Sequence, residues 1–158
     1  MLSAESLAQI DQELAKYPPD QKQSAVMSAL RIAQLELGWL SRDTIEFVAH
    51  YLGMPAIAAY EVATFYNMYD LAPVGRNKVT LCTNLPCQLQ GADEIAARMQ
   101  AKLGIGFGET TADGRYTLKE GECMGACGDA PVLLMNNKRM CSYMTTEAID
   151  KLLAELKS

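Results

Sequence analysis

The chain has 158 residues, 49% of them hydrophobic, which is enough for one compact domain or two small ones. Its formal net charge is −5 and no block of lysines or arginines occurs, which argues against nucleic acid or an anionic membrane surface as the main partner. The longest apolar runs, such as Met54 to Tyr60 and Val132 to Met135, fall far short of the ~20 residues that span a bilayer, so no direct membrane insertion is expected.

The opening residues, MLSAESLAQIDQELAKY, have neither a basic start nor an apolar segment and do not read as a signal peptide; a cytoplasmic location is expected. Residues 1–72 read as wholly helical. Ser3 or Ser6 can cap a first helix in which Leu7, Ile10 and Leu14 share a face, and Pro18-Pro19 ends it. Val26, Leu30, Ala33 and Leu37 make the stripe of a second helix, with Gly38 as its stop. Ser41 caps a third, with Ile45, Val48 and Leu52 inward and Gly53 at its end. Pro55 opens a fourth, in which Val62, Phe65, Tyr66 and Tyr69 recur at helical spacing. Phe65 and Tyr66 are expected in the core, and Tyr60 and Tyr69 at the surface. His50, the only histidine, is read as a packed or dipole-stabilising residue without chemistry.

Pro73-Val74-Gly75 breaks the helical pattern, so the expected domains are 1–72 and 73–158. Lys78 to Cys82 alternates as a strand, with Val79 and Leu81 on one face. Gly91 leads into a helix with Ile95, Met99 and Leu103 inward, closed by Lys102 and Gly104. Asp113-Gly114 is a turn, Tyr116 to Lys119 a strand, and Pro131 to Met135 a buried strand. Asn136-Asn137 fits a tight hairpin into Lys138-Arg139-Met140, and Thr145 or Thr146 caps a last helix with Ile149, Leu152, Leu153 and Leu156 inward and Lys157 at its negative end. The order β-α-β-β-β-α allows a first parallel pair and a final antiparallel edge. The expected fold is α+β: a small N-terminal helical bundle, then a thioredoxin-like domain with a mixed sheet and flanking helices.

Four of the five cysteines fall in two short segments, Cys82-Thr-Asn-Leu-Pro-Cys87 and Cys123-Met-Gly-Ala-Cys127, each read as a loop after a strand. A chain without an export signal and with an odd cysteine count favours metal or redox chemistry over disulfides. Neither spacing is the Cys-x-x-Cys of a dithiol active site. Both suit structural zinc on four thiolates, and both suit a 2Fe–2S cluster, with the spacing favouring the cluster. Gly121, Gly125 and Gly128 would let backbone amides approach an anionic group, and Leu85, Pro86, Met124 and Ala126 make the loops apolar. Buried apolar loops and net negative charge lead us to expect a low cluster potential, roughly −400 mV.

Three segments carry a family resemblance: Tyr60-Glu-Val-Ala-Thr-Phe-Tyr-Asn-Met-Tyr69, Cys82-x4-Cys87, and Glu122-Cys-Met-Gly-Ala-Cys-Gly-Asp-Ala-Pro131. With them the chain resembles, over nearly its whole length, the small E-type 2Fe–2S subunits of the NADH-dehydrogenase module of respiratory complex I, NADH:quinone oxidoreductase. The resemblance implies a helical domain followed by a thioredoxin-like ferredoxin domain, with one 2Fe–2S cluster ligated by Cys82, Cys87, Cys123 and Cys127. It implies single-electron exchange with the FMN of a partner NADH-binding flavoprotein subunit, in a complex peripheral to the inner face of the cytoplasmic membrane. FMN and NADH are expected in that partner alone. Gly104-Ile-Gly-Phe-Gly-Glu109 follows a helix and lacks the last glycine of a dinucleotide fingerprint, and no catalytic residue is expected in this chain. Cys141 has no place in the ligand set and reads as a small packed hydrophobe. Closely similar subunits serve NAD-linked formate dehydrogenases and bidirectional hydrogenases, and a zinc-stabilised interaction module is the alternative of another class.

Overall fold

The structure is a computed structural model that describes residues 2–156. The expectation for Lys157 lies outside those residues. The chain divides into two compact units, Met1–Pro73 and Val74–Ser158.

The first unit is helical. Helix α1 (Ala4–Leu14) begins where Ser3 Oγ accepts the Ser6 N–H at 3.2 Å, satisfying one of the amides that a helix start leaves free. A single 3-10 turn (Lys22–Ala25), unmarked by periodicity, leads into α2 (Val26–Leu37). Ser41 Oγ accepts the Thr44 N–H and starts α3 (Arg42–Leu52). Helix α4 (Ala56–Phe65) follows Pro55. Ile10, Leu30, Leu40, Ile45, Val48 and Leu52 form the buried centre, each such side chain contributing ~2 kcal/mol by leaving water. Leu37, expected inward, is exposed at the end of α2. His50 is exposed in the last turn of α3, not packed.

The aromatic run departs from expectation. Helix α4 stops at Phe65, and Tyr66 is already extended (φ −91°, ψ 117°). Phe65 is 80% exposed and Tyr66 39%, whereas Tyr69 is 3% exposed. The cause is a bond pattern the spacing does not reveal. The Gln34 side chain donates to the Met68 carbonyl and accepts the Asp70 N–H, and the Leu40 N–H donates to the Asp70 carbonyl. The backbone is thereby turned out of the helix, and Tyr69 instead enters the core, where its hydroxyl donates to the Met27 carbonyl at 2.8 Å.

The second unit carries β1 (Asn77–Cys82), α5 (Leu85–Gln88), α6 (Ala92–Leu103), β2 (Tyr116–Gly121), a 3-10 turn (Cys127–Asp129), β3 (Leu133–Met135), β4 (Arg139–Cys141) and α7 (Thr146–Glu155). The sheet order is β2-β1-β3-β4. β1 and β2 are parallel, with Asn77 opposite Tyr116 and Cys82 opposite Gly121; β3 runs antiparallel to β1, and β4 antiparallel to β3. Asn136 and Asn137, at φ 51° and 55°, make the tight turn between the last two strands, as hairpin twist requires. Val79, Leu81, Tyr116, Leu118, Leu133 and Met135 form one core with Ile95 and Met99 of α6 and Ile149, Leu152 and Leu153 of α7. Thr145, rather than Thr146, caps α7 by accepting the Ala148 N–H. Together these give the expected α+β, thioredoxin-like mixed sheet.

Candidate metal centre

Because β1 and β2 are parallel neighbours, the chain leaves both at the same end of the sheet. Cys82 is the last residue of β1, so it lies in the strand and not in the loop after it. Its N–H donates to the Val132 carbonyl, and its thiol donates to the Glu122 carbonyl at 3.8 Å. Cys87 sits in the short helix α5, which periodicity does not predict; Pro86 is compatible with its first turn because the amide it lacks would have no partner there. Cys82 and Cys87 are both buried and pack with Ala92 and Val132, flanked by Met124, Ala126 and Ala130. Leu85 and Leu89, by contrast, project to solvent, so the apolar cover over the sulfurs comes from the second segment, Met124 and Ala126, and not from Leu85.

The second pair lies beyond β2. Cys123 and Cys127 are exposed, the latter opening the 3-10 turn. Two glycines shape this segment. Gly125 takes φ +69°, a region that costs other residues dearly, and from there its N–H donates to Cys123 Sγ at 3.3 Å. Gly121 is needed for space: a Cβ there would run into Met124 Cε and lie 2.8 Å from Thr80 Cγ2. The Ala130–Pro131 peptide that follows is cis.

Electrostatics bear on one of these thiols, Cys87. Burial first, then the neighbouring Cys82 and Cys127, push the Cys87 thiol up against an opposing hydrogen bond from the Val132 backbone. The same neighbour effects place these sulfurs within each other's field. Cys87 without a cation is therefore a neutral thiol at neutral pH, and holding it as a thiolate requires positive charge beside it. Cys141, half-buried in β4, is likewise pushed up, by burial first, and packs against the sheet core as expected of a small hydrophobe.

The donor set is sulfur from two converging segments, which suits soft metals and iron–sulfur clusters. Among the described residues no group of three or more His, Cys, Asp and Glu side chains is gathered so as to hold a single metal ion. A two-iron cluster takes four thiolates, the number the two segments supply, with Cys82 and Cys87 buried and Cys123 and Cys127 exposed. The residues fit such a group. Asp129 falls inside the Glu122–Pro131 segment, but spacing gives it no role; its partners at this site, Ser142 and Tyr143, lie 13 and 14 residues further on.

A family model described as thioredoxin-like [2Fe-2S] ferredoxin matches residues 10–157. The chain is 43% identical over 146 residues to the E subunit of NADH-quinone oxidoreductase from Rickettsia bellii (strain RML369-C), covering 92% of this chain and 87% of that protein. It is 48% identical over 125 residues to the protein of the same name in Rickettsia typhi (strain ATCC VR-144 / Wilmington), covering 78% and 74%. It is 40% identical over 152 residues to "NADH dehydrogenase [ubiquinone] flavoprotein 2, mitochondrial" of Dictyostelium discoideum, covering 94% and 62%. Among solved structures, that of an NAD+-reducing [NiFe]-hydrogenase in the air-oxidized state superposes with a TM-score of 0.73 at 20% identity, over 89% of this chain. This chain spans 24% of the hydrogenase chain, and the likeness is one of fold alone.

Proposed function

Because this chain belongs to the thioredoxin-like [2Fe-2S] ferredoxin family, we propose that it is the electron-transfer subunit of an NADH:quinone oxidoreductase, respiratory complex I, and that Cys82, Cys87, Cys123 and Cys127 hold its one 2Fe–2S cluster. The observation that carries the reading is the parallel pairing of β1 with β2, which delivers both cysteine pairs to one end of the sheet. Relatives named as E subunits of NADH-quinone oxidoreductase, matched over most of both lengths, support the assignment to that complex.

When bound, a 2Fe–2S cluster supplies one-electron transfer. The chain's own residues bind and shield it. Cys82 and Cys87 ligate from the buried side, where Met124, Ala126 and Val132 keep water away. Cys123 and Cys127 close the site from the exposed segment, and the Gly125 amide holds the Cys123 sulfur and stabilises its negative charge. On this reading NADH and FMN belong to a partner flavoprotein subunit, and the chain contributes no acid–base step. The complex would place it at the inner face of the cytoplasmic membrane; among the described residues no helix is long and apolar enough to cross one.

The test is low-temperature EPR after anaerobic dithionite reduction, with Cys123→Ser and Cys141→Ser beside the wild type. A signal with average g below the free-electron value, at about one spin per chain, is expected in the wild type and Cys141→Ser and absent from Cys123→Ser. Equal loss in both variants refutes the ligand set. A colourless wild type that contains zinc refutes the electron-transfer role. Co-purification with the subunits of a formate dehydrogenase or hydrogenase would reassign the complex.

A further inference from the structure

We propose that Asp129 is the positioning residue of the second cysteine segment: it ties the Cys127 turn to Ser142–Met144 and so fixes the Cys127 sulfur for the group the four thiols hold. The inference rests on the ligand set proposed above. Asp129 ends the three-residue turn that Cys127 begins, and no residue of that turn is buried. Its flanking residues Ala126 and Ala130 pack against the buried cluster, while the turn itself is held by hydrogen bonds. Tyr143 Oη donates to Asp129 Oδ1 at 2.9 Å and Ser142 Oγ to Oδ2 at 3.3 Å. The Tyr143 N–H donates to the Asp129 carbonyl at 2.8 Å, and the Met144 N–H to the Pro131 carbonyl at 3.0 Å.

Tyr143 identifies these bonds as more than incidental. Its φ is +51°, a region bulky L-residues avoid. Its side chain is 65% exposed, so burial of the ring does not offset that cost. What the unusual backbone achieves is to aim both the amide and the hydroxyl of Tyr143 at Asp129. The next residue, Met144, is buried in the core beneath the sheet. Asp129 thus links an exposed ligand turn to the rigid part of the unit, as residues that orient metal ligands do.

The experiment uses the full chain loaded anaerobically with iron and sulfide, in wild type, Asp129→Ala, Asp129→Asn and Tyr143→Phe. Iron release to a chelator is followed by absorbance, and thermal unfolding is measured on the metal-free forms. Asp129→Ala is expected to release iron about ten-fold faster than wild type. Asp129→Asn, whose amide oxygen still accepts from Tyr143 Oη, stays within about three-fold, and Tyr143→Phe falls between. Metal-free unfolding midpoints of Asp129→Ala and Asp129→Asn should agree. Release from Asp129→Ala at the wild-type rate overturns the proposal. So does a faster release matched by an equally early unfolding of the metal-free variant. If the wild type holds zinc and no cluster, the functional reading fails, while the same ten-fold difference is read on zinc release; a wild type that binds neither overturns both.

Discussion

Cys82 stands opposite Gly121 in the register that joins β1 to β2, and the space above Gly121 is filled by Met124 Cε and Thr80 Cγ2. The end of the strand pair is thus closed by a methionine folded back from the second cysteine segment onto the first. Met124 has a flexible tip that can move. Thr80 is β-branched and buried in a central strand, and has little freedom to do so. Gly121→Ala is therefore expected to cost about 1–3 kcal/mol, read as a lower urea midpoint. It should also raise the rate at which Cys82 and Cys87 react with a disulfide reagent in the metal-free chain. An unchanged midpoint and rate would show that Met124 does not cover these thiols.

In the helical unit, Tyr69 shows how firmly the segment after α4 is held. Burial raises its phenol to about 12, with the nearby Arg31 opposing and Tyr66 adding to the shift. It therefore stays protonated and keeps donating to Met27 throughout the neutral range. Tyr69→Phe preserves the ring and deletes the donor, and should cost about 1 kcal/mol in chemical denaturation. A neutral substitution would mean that water replaces the hydroxyl at the Met27 carbonyl.

Between α6 and α7, Arg98 grips Asp150 with both Nε and Nη2, and Lys102 Nζ stands 3.5 Å from the same carboxylate. The Arg98 hydrogen bonds first, then the charges of Arg98 and Lys102, hold the Asp150 carboxyl below its usual range. A carboxyl depressed in the folded chain stabilises it above the unfolded value and loses that contribution as pH falls through the folded one. Asp150→Asn should accordingly lower the unfolding temperature of the metal-free chain at pH 7, and the gap to wild type should close below about pH 4. A gap that persists in acid would assign the loss to packing and not to charge.

The helices of the first unit are legible because their ends are local. Ser3 and Ser41 cap through bonds three residues long, and Gly38 and Gly53 stop the helices they follow. The aromatic run misleads because helical spacing continues past Phe65 while the helix does not; the Gln34 amide that diverts the chain lies more than 30 residues away. In the second unit the strands, α6, the hairpin and α7 follow from periodicity and turn residues. Helix α5 does not, because four residues carry no period. At the site, residue type and spacing nominate the four cysteines, but burial of one pair against exposure of the other depends on the register of β1 with β2. Asp129 acts across 14 residues onto a tyrosine in a left-handed conformation, and no spacing rule points there.

The crossover between the parallel strands has a further meaning. The two cysteine pairs are brought together only when β1 and β2 pair along their six-residue register, across the intervening chain that includes α6. An unfolded chain offers two separate dithiols and not a four-sulfur cage. Any group bound by all four therefore acts as a latch across that crossover: its affinity is drawn on the folding equilibrium, and its loss loosens the sheet end on which it was built.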